Sequence, residues 1–164
     1  FLGLESRASF VHSDFNAAAV EGPFDVVLCC EVLEHIPDDL AALERMRGLI
    51  TPDGLLLLSV PSPNEIVHRI RIRRFGRDSF DESAGHLRRY TEPQIRALLE
   101  EAGFRVCRVE RTEGPLRNVL PLTALGRFVL RAVRFGLTPV FLAADELAAR
   151  CIAESQVIVV ARPA

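Results

Sequence analysis

Residues 24–39 read FDVVLCCEVLEHIPDD, and the two ends of this stretch obey different rules. Positions 24–30 form a nearly continuous apolar run of strand length, the pattern of a parallel strand covered on both faces. Glu31 ends the run abruptly. From Pro37 onward the register becomes helical: Leu40, Leu43, Met46 or Arg47, and Ile50 recur at three and four residues, behind Asp38 as a candidate cap.

Working outward, Thr51-Pro52-Asp53-Gly54 predicts a turn, and 55–60 a second buried strand stopped by Pro61 and Pro63. Upstream, 8–13 reads as a short strand closed by Asp14, ahead of a loop carrying Glu21, Gly22 and Pro23. Downstream, Thr91 is a helix cap with Gln94 placed to reach back to it; Ile95, Leu98 and Leu99 supply the apolar face and Gly103 the terminator. Two more strands are expected at 104–111 and 155–161. Between them, 115–150 is apolar, punctuated by Arg117, Arg127, Arg131 and Arg134, and predicts two or three helices. Strands alternating with helices imply an α/β fold, an open and mostly parallel sheet with right-handed crossovers. Ligands gather at the carboxyl ends of such strands. The polar residues Asp14, Glu31, Glu34, His35 and those of 59–64 follow three of these ends.

Composition narrows the chemistry. A chain of 164 residues suits one domain, and 49% hydrophobic with 26% charged residues excludes a disordered chain or a membrane bundle. No uncharged stretch approaches the roughly 18 apolar residues of a membrane span. All 20 basic residues are Arg, so Schiff-base chemistry and a phosphate-loop lysine are excluded. A formal charge of −2 offers no general attraction for a phosphate backbone, so nucleic acid is not an expected partner. Cys29, Cys30, Cys107 and Cys151 contain no C-x-x-C pair; they read as reduced, mostly buried thiols, with Cys29 and Cys30 on opposite strand faces, and the expected compartment is cytoplasmic. A chain opening at Phe1 and running at once into strand-like sequence reads as the tail of a longer protein.

Three blocks carry a family resemblance: FDVVLCCEVLEHIPDD at 24–39, TPDGLLLLSVPSPN at 51–64 and GHLRRYTEPQIRALLEEAGF at 85–104. In order and spacing they resemble the second half of a class I S-adenosylmethionine-dependent methyltransferase. The resemblance implies a partial Rossmann-like sheet in the spatial order 3-2-1-4-5-7-6 with the last strand antiparallel and helices on both faces. Strands 3 to 7 then fall at 8–13, 24–30, 55–60, 104–111 and 155–161, in a single domain over 1–164 with 115–150 as a helical insertion or cap. Strands 1 and 2 are missing, and with them the glycine-rich cofactor turn; the ten glycines contain no G-x-G.

For the cofactor, S-adenosylmethionine, the resemblance implies contacts from Asp14 to the adenine amino group, from Phe15 by backbone and ring stacking, and from Cys30 and Glu31 at the end of the next strand. Glu31, Glu34 and His35 stand at i, i+3 and i+4, so a helical segment would project all three from one face. Such a set suits a divalent ion, Mg²⁺ being the expectation, and relatives that methylate catechol-like quinone precursors carry a similar E-x-x-E-H implicated in metal binding. The alternative is that Glu34 and His35 simply order the loop. His35 and His86 are the candidate bases for an acceptor hydroxyl, with Gly85 supplying the bend before His86. His12 and His68 read as surface or packing residues, and the run Arg69, Arg71, Arg73, Arg74, Arg77 as a largely solvated helix face able to attract an anion. The resulting expectation is methyl transfer to a small acceptor, apolar or anionic, through oxygen, with 115–150 covering the acceptor or resting peripherally on a membrane. The rivals are a non-catalytic α/β interaction module and an inactive fragment lacking the glycine loop.

Overall fold

The computed structural model describes residues 8–13, 15, 20–133 and 137–164. Its centre is a four-stranded sheet of β1 (Phe24–Cys30), β2 (Ile50–Pro61), β3 (Phe104–Thr112) and β4 (Gln156–Pro163) in the order β1-β2-β4-β3. β1 and β2 are parallel, and β4 runs antiparallel to both β2 and β3. That is the expected 4-5-7-6 portion of the sheet, reversed last strand included. β1, β2 and β3 therefore deliver their carboxyl ends to one rim, where β4 begins: Gln156 pairs with both Pro61 and Thr112.

Helix α1 (Asp39–Gly48) connects β1 to β2 and starts where Asp38 accepts a hydrogen bond from the Ala41 N–H. After β2 come α2 (Ile66–Phe75), α3 (Ser79–Ala84) and α4 (Glu92–Glu101). The Gln94 side chain accepts from the Thr91 N–H at 2.9 Å, as its spacing predicts, and Gly103 follows the end of α4 at φ 82°. The insertion folds as α5 (Pro115–Val119), a 3₁₀ turn (Leu120–Leu122), α6 (Ala124–Val133) and α7 (Thr138–Cys151). Fully buried Asp145 of α7 accepts from the N–H groups of Gly114 and Arg117, which fastens the insertion to the end of β3.

The core lies against one face of the sheet. Leu56, Leu58 and Val60 of β2 and Val157, Val159 and Ala161 of β4 form one cluster with Leu43 and Met46 of α1 and Ile95 and Leu99 of α4. Alternation places these strand residues on a common face.

Four expectations need correction. Residues 8–13 form no strand; they are exposed, and the sheet runs β1-β2-β4-β3 without them, since a short segment becomes a strand only where a sheet edge takes up its N–H and C=O groups. β1 is not buried on both faces: it is the sheet's edge, with Val26 51% and Leu28 66% exposed, and no described helix covers that side. Residues 51–54 do not separate helix from strand as a turn. Phe24 pairs with Ile50 but Val26 with Leu55, so this segment bulges within β2. Gly54 is required there, since a Cβ would lie 2.8 Å from the Asp25 carbonyl oxygen. Finally, only Cys29 of the four free thiols is buried; burial above all, then the neighbouring Glu34 carboxylate, pushes its thiol up to about 12 and makes it an inert core residue.

Candidate functional site

β1 ends at Glu31, whose φ of 53° is unusual for a residue with a side chain. The left-handed turn throws the chain out of the sheet and into a single 3₁₀ turn, Leu33–His35. The segment is therefore not a helix that includes Glu31, and the i, i+3, i+4 face does not form. Glu31 instead accepts from the Ser59 hydroxyl at 3.0 Å, while its N–H donates to the Ser59 carbonyl. Glu34 points inward and is fully buried; His35 remains at the surface.

The second half of the site arrives from 85–90. Gly85 closes α3 at φ 78°, a left-handed cap that only glycine takes without strain. The Leu87 N–H then donates to the Glu34 carbonyl and the Tyr90 N–H to the Pro61 carbonyl, which lays this segment over the ends of β1 and β2. Buried Tyr90 donates through its hydroxyl to Asp39, which Arg88 also holds at 2.7 Å.

Both histidines converge on Glu34. His35 sets Nδ1 3.1 Å from the Gly85 carbonyl oxygen, and its Nε2 lies 3.7 Å from Glu34 Oε1. His86 sets Nδ1 2.9 Å from Asp81 Oδ1, and its Nε2 lies 4.0 Å from the same Glu34 oxygen. The two rings meet edge to face at 4.9 Å. Neither Glu34 carboxylate oxygen has a hydrogen-bond partner among the described residues. Burial raises this carboxyl above its ordinary range; the residue's own backbone amide, and after it the two imidazoles, offset only part of that. A buried carboxylate without a hydrogen-bond partner among the described residues, faced by two Nε2 atoms whose rings engage Nδ1 behind them, is chemically able to take up a cation or a proton.

Behind His86 lies a network that the sequence reading passed over. Arg89, almost fully buried, grips Asp81 through Nε and Nη2 and reaches Glu65 and the Ser62 carbonyl through Nη1. Fully buried Asp78 takes His68 at 2.9 Å and Arg71 at 3.1 Å and caps α3 by accepting from the Phe80 N–H. His68 is thus a member of this ion-pair network, reaching both Asp78 and Asp81. For Asp78 burial favours the neutral acid, but the His68, Phe80 and Arg71 contacts outweigh it and hold the carboxyl below its usual range. A depressed carboxyl stabilises the fold above its unfolded pKa of about 4 and loses that contribution as pH falls through the folded value. Asp78→Asn, which keeps the cap, is expected to cost about 2 kcal/mol at pH 7. The gap should narrow below pH 4 in urea unfolding; a gap constant with pH would show that the ion pairs contribute nothing.

The remaining predicted residues divide. Cys30 and Glu31 are exposed together at the end of β1. Phe15 is not with them: it lies under the Arg45 guanidinium in a shallow hollow with Phe24 and Leu49, toward the amino end of β1, because 8–13 does not run along the sheet. Asp14 lies outside the described residues. Asn64 and Ser62 both donate to buried Glu154, two residues before β4. Asp81 and Arg89 were the residues missed; the one available signal was an acid five residues before His86, a spacing that gains meaning only once α3 closes at Gly85.

Sheet order, reversed β4 and a polar cluster at the carboxyl rim define the class: a Rossmann-like α/β domain, an architecture whose strand ends are where ligands bind. The chain belongs to the methyltransferase-domain family, whose description matches residues 4–109. Among curated proteins it is similar to the ubiquinone biosynthesis O-methyltransferase of Xanthomonas campestris pv. campestris, 41% identical over 63 residues, which is 34% of this chain and 26% of that protein. The Haemophilus ducreyi protein of the same name is 53% identical over 36 residues, 22% of this chain and 15% of that one. The matched stretches thus span about a quarter or less of these relatives. Among solved structures, the [4+2]-cyclase SpnF superposes with a TM-score of 0.61 at 20% identity, covering 98% of this chain and 57% of that one. Magnesium protoporphyrin IX methyltransferase from Synechocystis PCC 6803, solved with bound SAH, gives 0.55 at 18% identity over 95% of this chain and 51% of that one. A cyclase and a methyltransferase on one architecture mean that these likenesses carry the fold alone. Among the described residues no helix is long and apolar enough to cross a membrane.

Proposed function

We propose that the whole protein is an S-adenosylmethionine-dependent methyltransferase acting on an oxygen of a small-molecule acceptor, and that Glu34, His35 and His86 form the acceptor side of its site. The observation that carries this reading is the convergence of two imidazole Nε2 atoms on one buried, unpartnered carboxylate at the rim where β1 and β2 end. Family membership and the partial likeness to O-methyltransferases support it. Cys30 and Glu31, exposed together at the carboxyl end of β1, are the residues that would line one edge of the cofactor; the ten glycines of this chain contain no G-x-G for its methionine end. When bound, the cofactor supplies a methyl group already activated on a sulfonium. What remains for the protein is to orient the hydroxyl, exclude water and take its proton. His86 Nε2 does the last, with Glu34 beneath it stabilising the imidazolium that forms.

A second reading, that the same three residues hold a divalent ion which polarises the acceptor oxygen, is favoured by the two unpartnered Glu34 oxygens and by their close grouping with the imidazoles. His86 here takes the place that Glu31 held in the sequence reading. Two imidazoles with one carboxylate suit Zn²⁺ or Mn²⁺ better than Mg²⁺, which prefers an all-oxygen shell. The apolar residues that α6 and α7 expose, Leu125, Phe128, Val140 and Leu147 among them, support an apolar acceptor or a lipid-facing surface on the insertion. Free thiols throughout suit a cytoplasmic setting.

The test is transfer of a labelled methyl group by the whole protein to hydroxyl acceptors of quinol, sugar and lipid type, with the new bond identified by NMR. An O–CH₃ product is expected; methylated nitrogen or carbon would overturn the oxygen assignment. A chelator should abolish transfer on the metal reading, with Mn²⁺ or Zn²⁺ restoring it better than Mg²⁺. Indifference to the chelator leaves His86 acting alone.

A further inference from the structure

Methyl transfer to a hydroxyl needs a lone pair on the ring nitrogen that faces the acceptor, and which nitrogen carries the proton is decided by what the other one touches. For His86 the groups in reach are few. On the Nε2 side stand Glu34, at 4.0 Å and outside hydrogen-bond range, and the His35 ring. The Phe80 ring lies against the imidazole edge. On the Nδ1 side, among the described residues, stands Asp81 at 2.9 Å. Asp81 is in turn held in one plane: Arg89 Nε and Nη2 contact its oxygens at 2.7 to 3.1 Å, and Arg89 is itself pinned to the Ser62 carbonyl and Glu65. His68 Nδ1 lies 3.3 Å from the second Asp81 oxygen.

We propose that Asp81, clamped by Arg89, is the positioning residue of the site: it accepts from Nδ1–H of His86, fixes that tautomer and ring orientation, and so leaves the Nε2 lone pair directed at Glu34 and the acceptor. The inference rests on the reading above for its catalytic meaning, not for its structural content. An ionised carboxylate is an acceptor only, so a 2.9 Å contact to Nδ1 requires the proton on Nδ1. His35 meets the same condition by a different device, since the Gly85 carbonyl is likewise an acceptor only. The difference is rigidity. His35 depends on one exposed backbone contact, whereas the carboxylate behind His86 is fixed by a buried guanidinium that also ties α3 to the loop after β2. In this proposal Asp81 acts through His86, whose Nδ1 it contacts at 2.9 Å.

The experiment uses ¹⁵N-histidine-labelled whole protein, freed of metal and held at a pH where the imidazoles are neutral. Long-range ¹H–¹⁵N correlations should show His86 as the Nδ1–H tautomer. In Asp81→Asn, whose amide can donate as well as accept, that signature should give way to a mixture or to Nε2–H, and Asp81→Glu should restore most of it. The methyl-transfer kcat of Asp81→Asn should fall at least about tenfold with the acceptor KM little changed, because the wrong tautomer blocks the proton's destination rather than binding. An unchanged His86 tautomer in folded Asp81→Asn overturns the proposal. If that variant does not fold, Arg89→Lys, which keeps the charge but loses the two-pronged grip, must redistribute the His86 proton; an unchanged spectrum there overturns it equally. A shifted tautomer with an unchanged kcat leaves the positioning assignment standing and instead removes His86 from the proposed chemistry.

Discussion

His86→Ala in the whole protein is expected to slow methyl transfer about 100-fold or more while leaving cofactor affinity within about twofold. General-base contributions run from roughly 10² to 10⁴, and His86 is the better placed of the two candidates. Its ring is nearly buried, with Nδ1 on a carboxylate and Nε2 toward buried Glu34. His35 is 38% exposed and its Nδ1 is spent on a neutral carbonyl. His35→Ala should therefore cost less, and the ratio of the two effects measures which imidazole takes the proton. Steady-state kinetics on the oxygen acceptor, alongside calorimetric cofactor binding, separate the outcomes. Loss of cofactor binding in step with rate would mean that the ring is needed only to pack against Phe80 and His35; His86→Gln, closer in size, repeats the comparison with less disturbance. Full activity in both variants would remove the histidine from the mechanism.

Leu58→Ala is expected to destabilise the fold by about 3 to 4 kcal/mol, the range of Leu truncation in a core that cannot collapse around the void. Leu58 is fully buried on the second of four strands, between Cys29 of β1 and Val159 of β4, and belongs to the single cluster shared by the sheet, α1 and α4. Strands on both sides leave the backbone no freedom to close the cavity. Leu28→Ala is the internal control. The same residue change on the exposed side of β1 removes a side chain that water already reaches, so its effect should stay within about 0.5 kcal/mol. Urea midpoints at constant slope check both. Equal effects at the two positions would contradict the assignment of the core to one face of the sheet.

The order of elements was readable because it rests on local rules. Asp38, the Thr91 and Gln94 pair, and Gly103 act over one helical turn, and the apolar runs at 24–30, 55–60 and 155–161 satisfy strand propensity whatever lies beside them. Burial that depends on a neighbour is not a local property. The apolar run at 24–30 predicts two covered faces and the pattern at 8–13 a place in the sheet, yet each of those depends on a chain segment lying alongside, which a residue pattern does not encode.

The candidate site divides along the same line. Sequence by itself determined that Glu34 and His35 are chemically able residues just past a strand end, and that His86 is an imidazole in a block of family-like sequence, since residue type and proximity to a strand terminus are local facts. Only the tertiary structure decided their membership in one cluster. The left-handed backbone at Glu31 sends that carboxylate to Ser59 and turns Glu34 inward, while the Gly85 bend brings His86 to the same oxygen from 52 positions along the chain. Asp81 and Arg89 were invisible for the same physical reason: the orientation of an imidazole is set by whichever acceptor the folded chain sets behind it, and that acceptor is chosen by packing rather than by spacing.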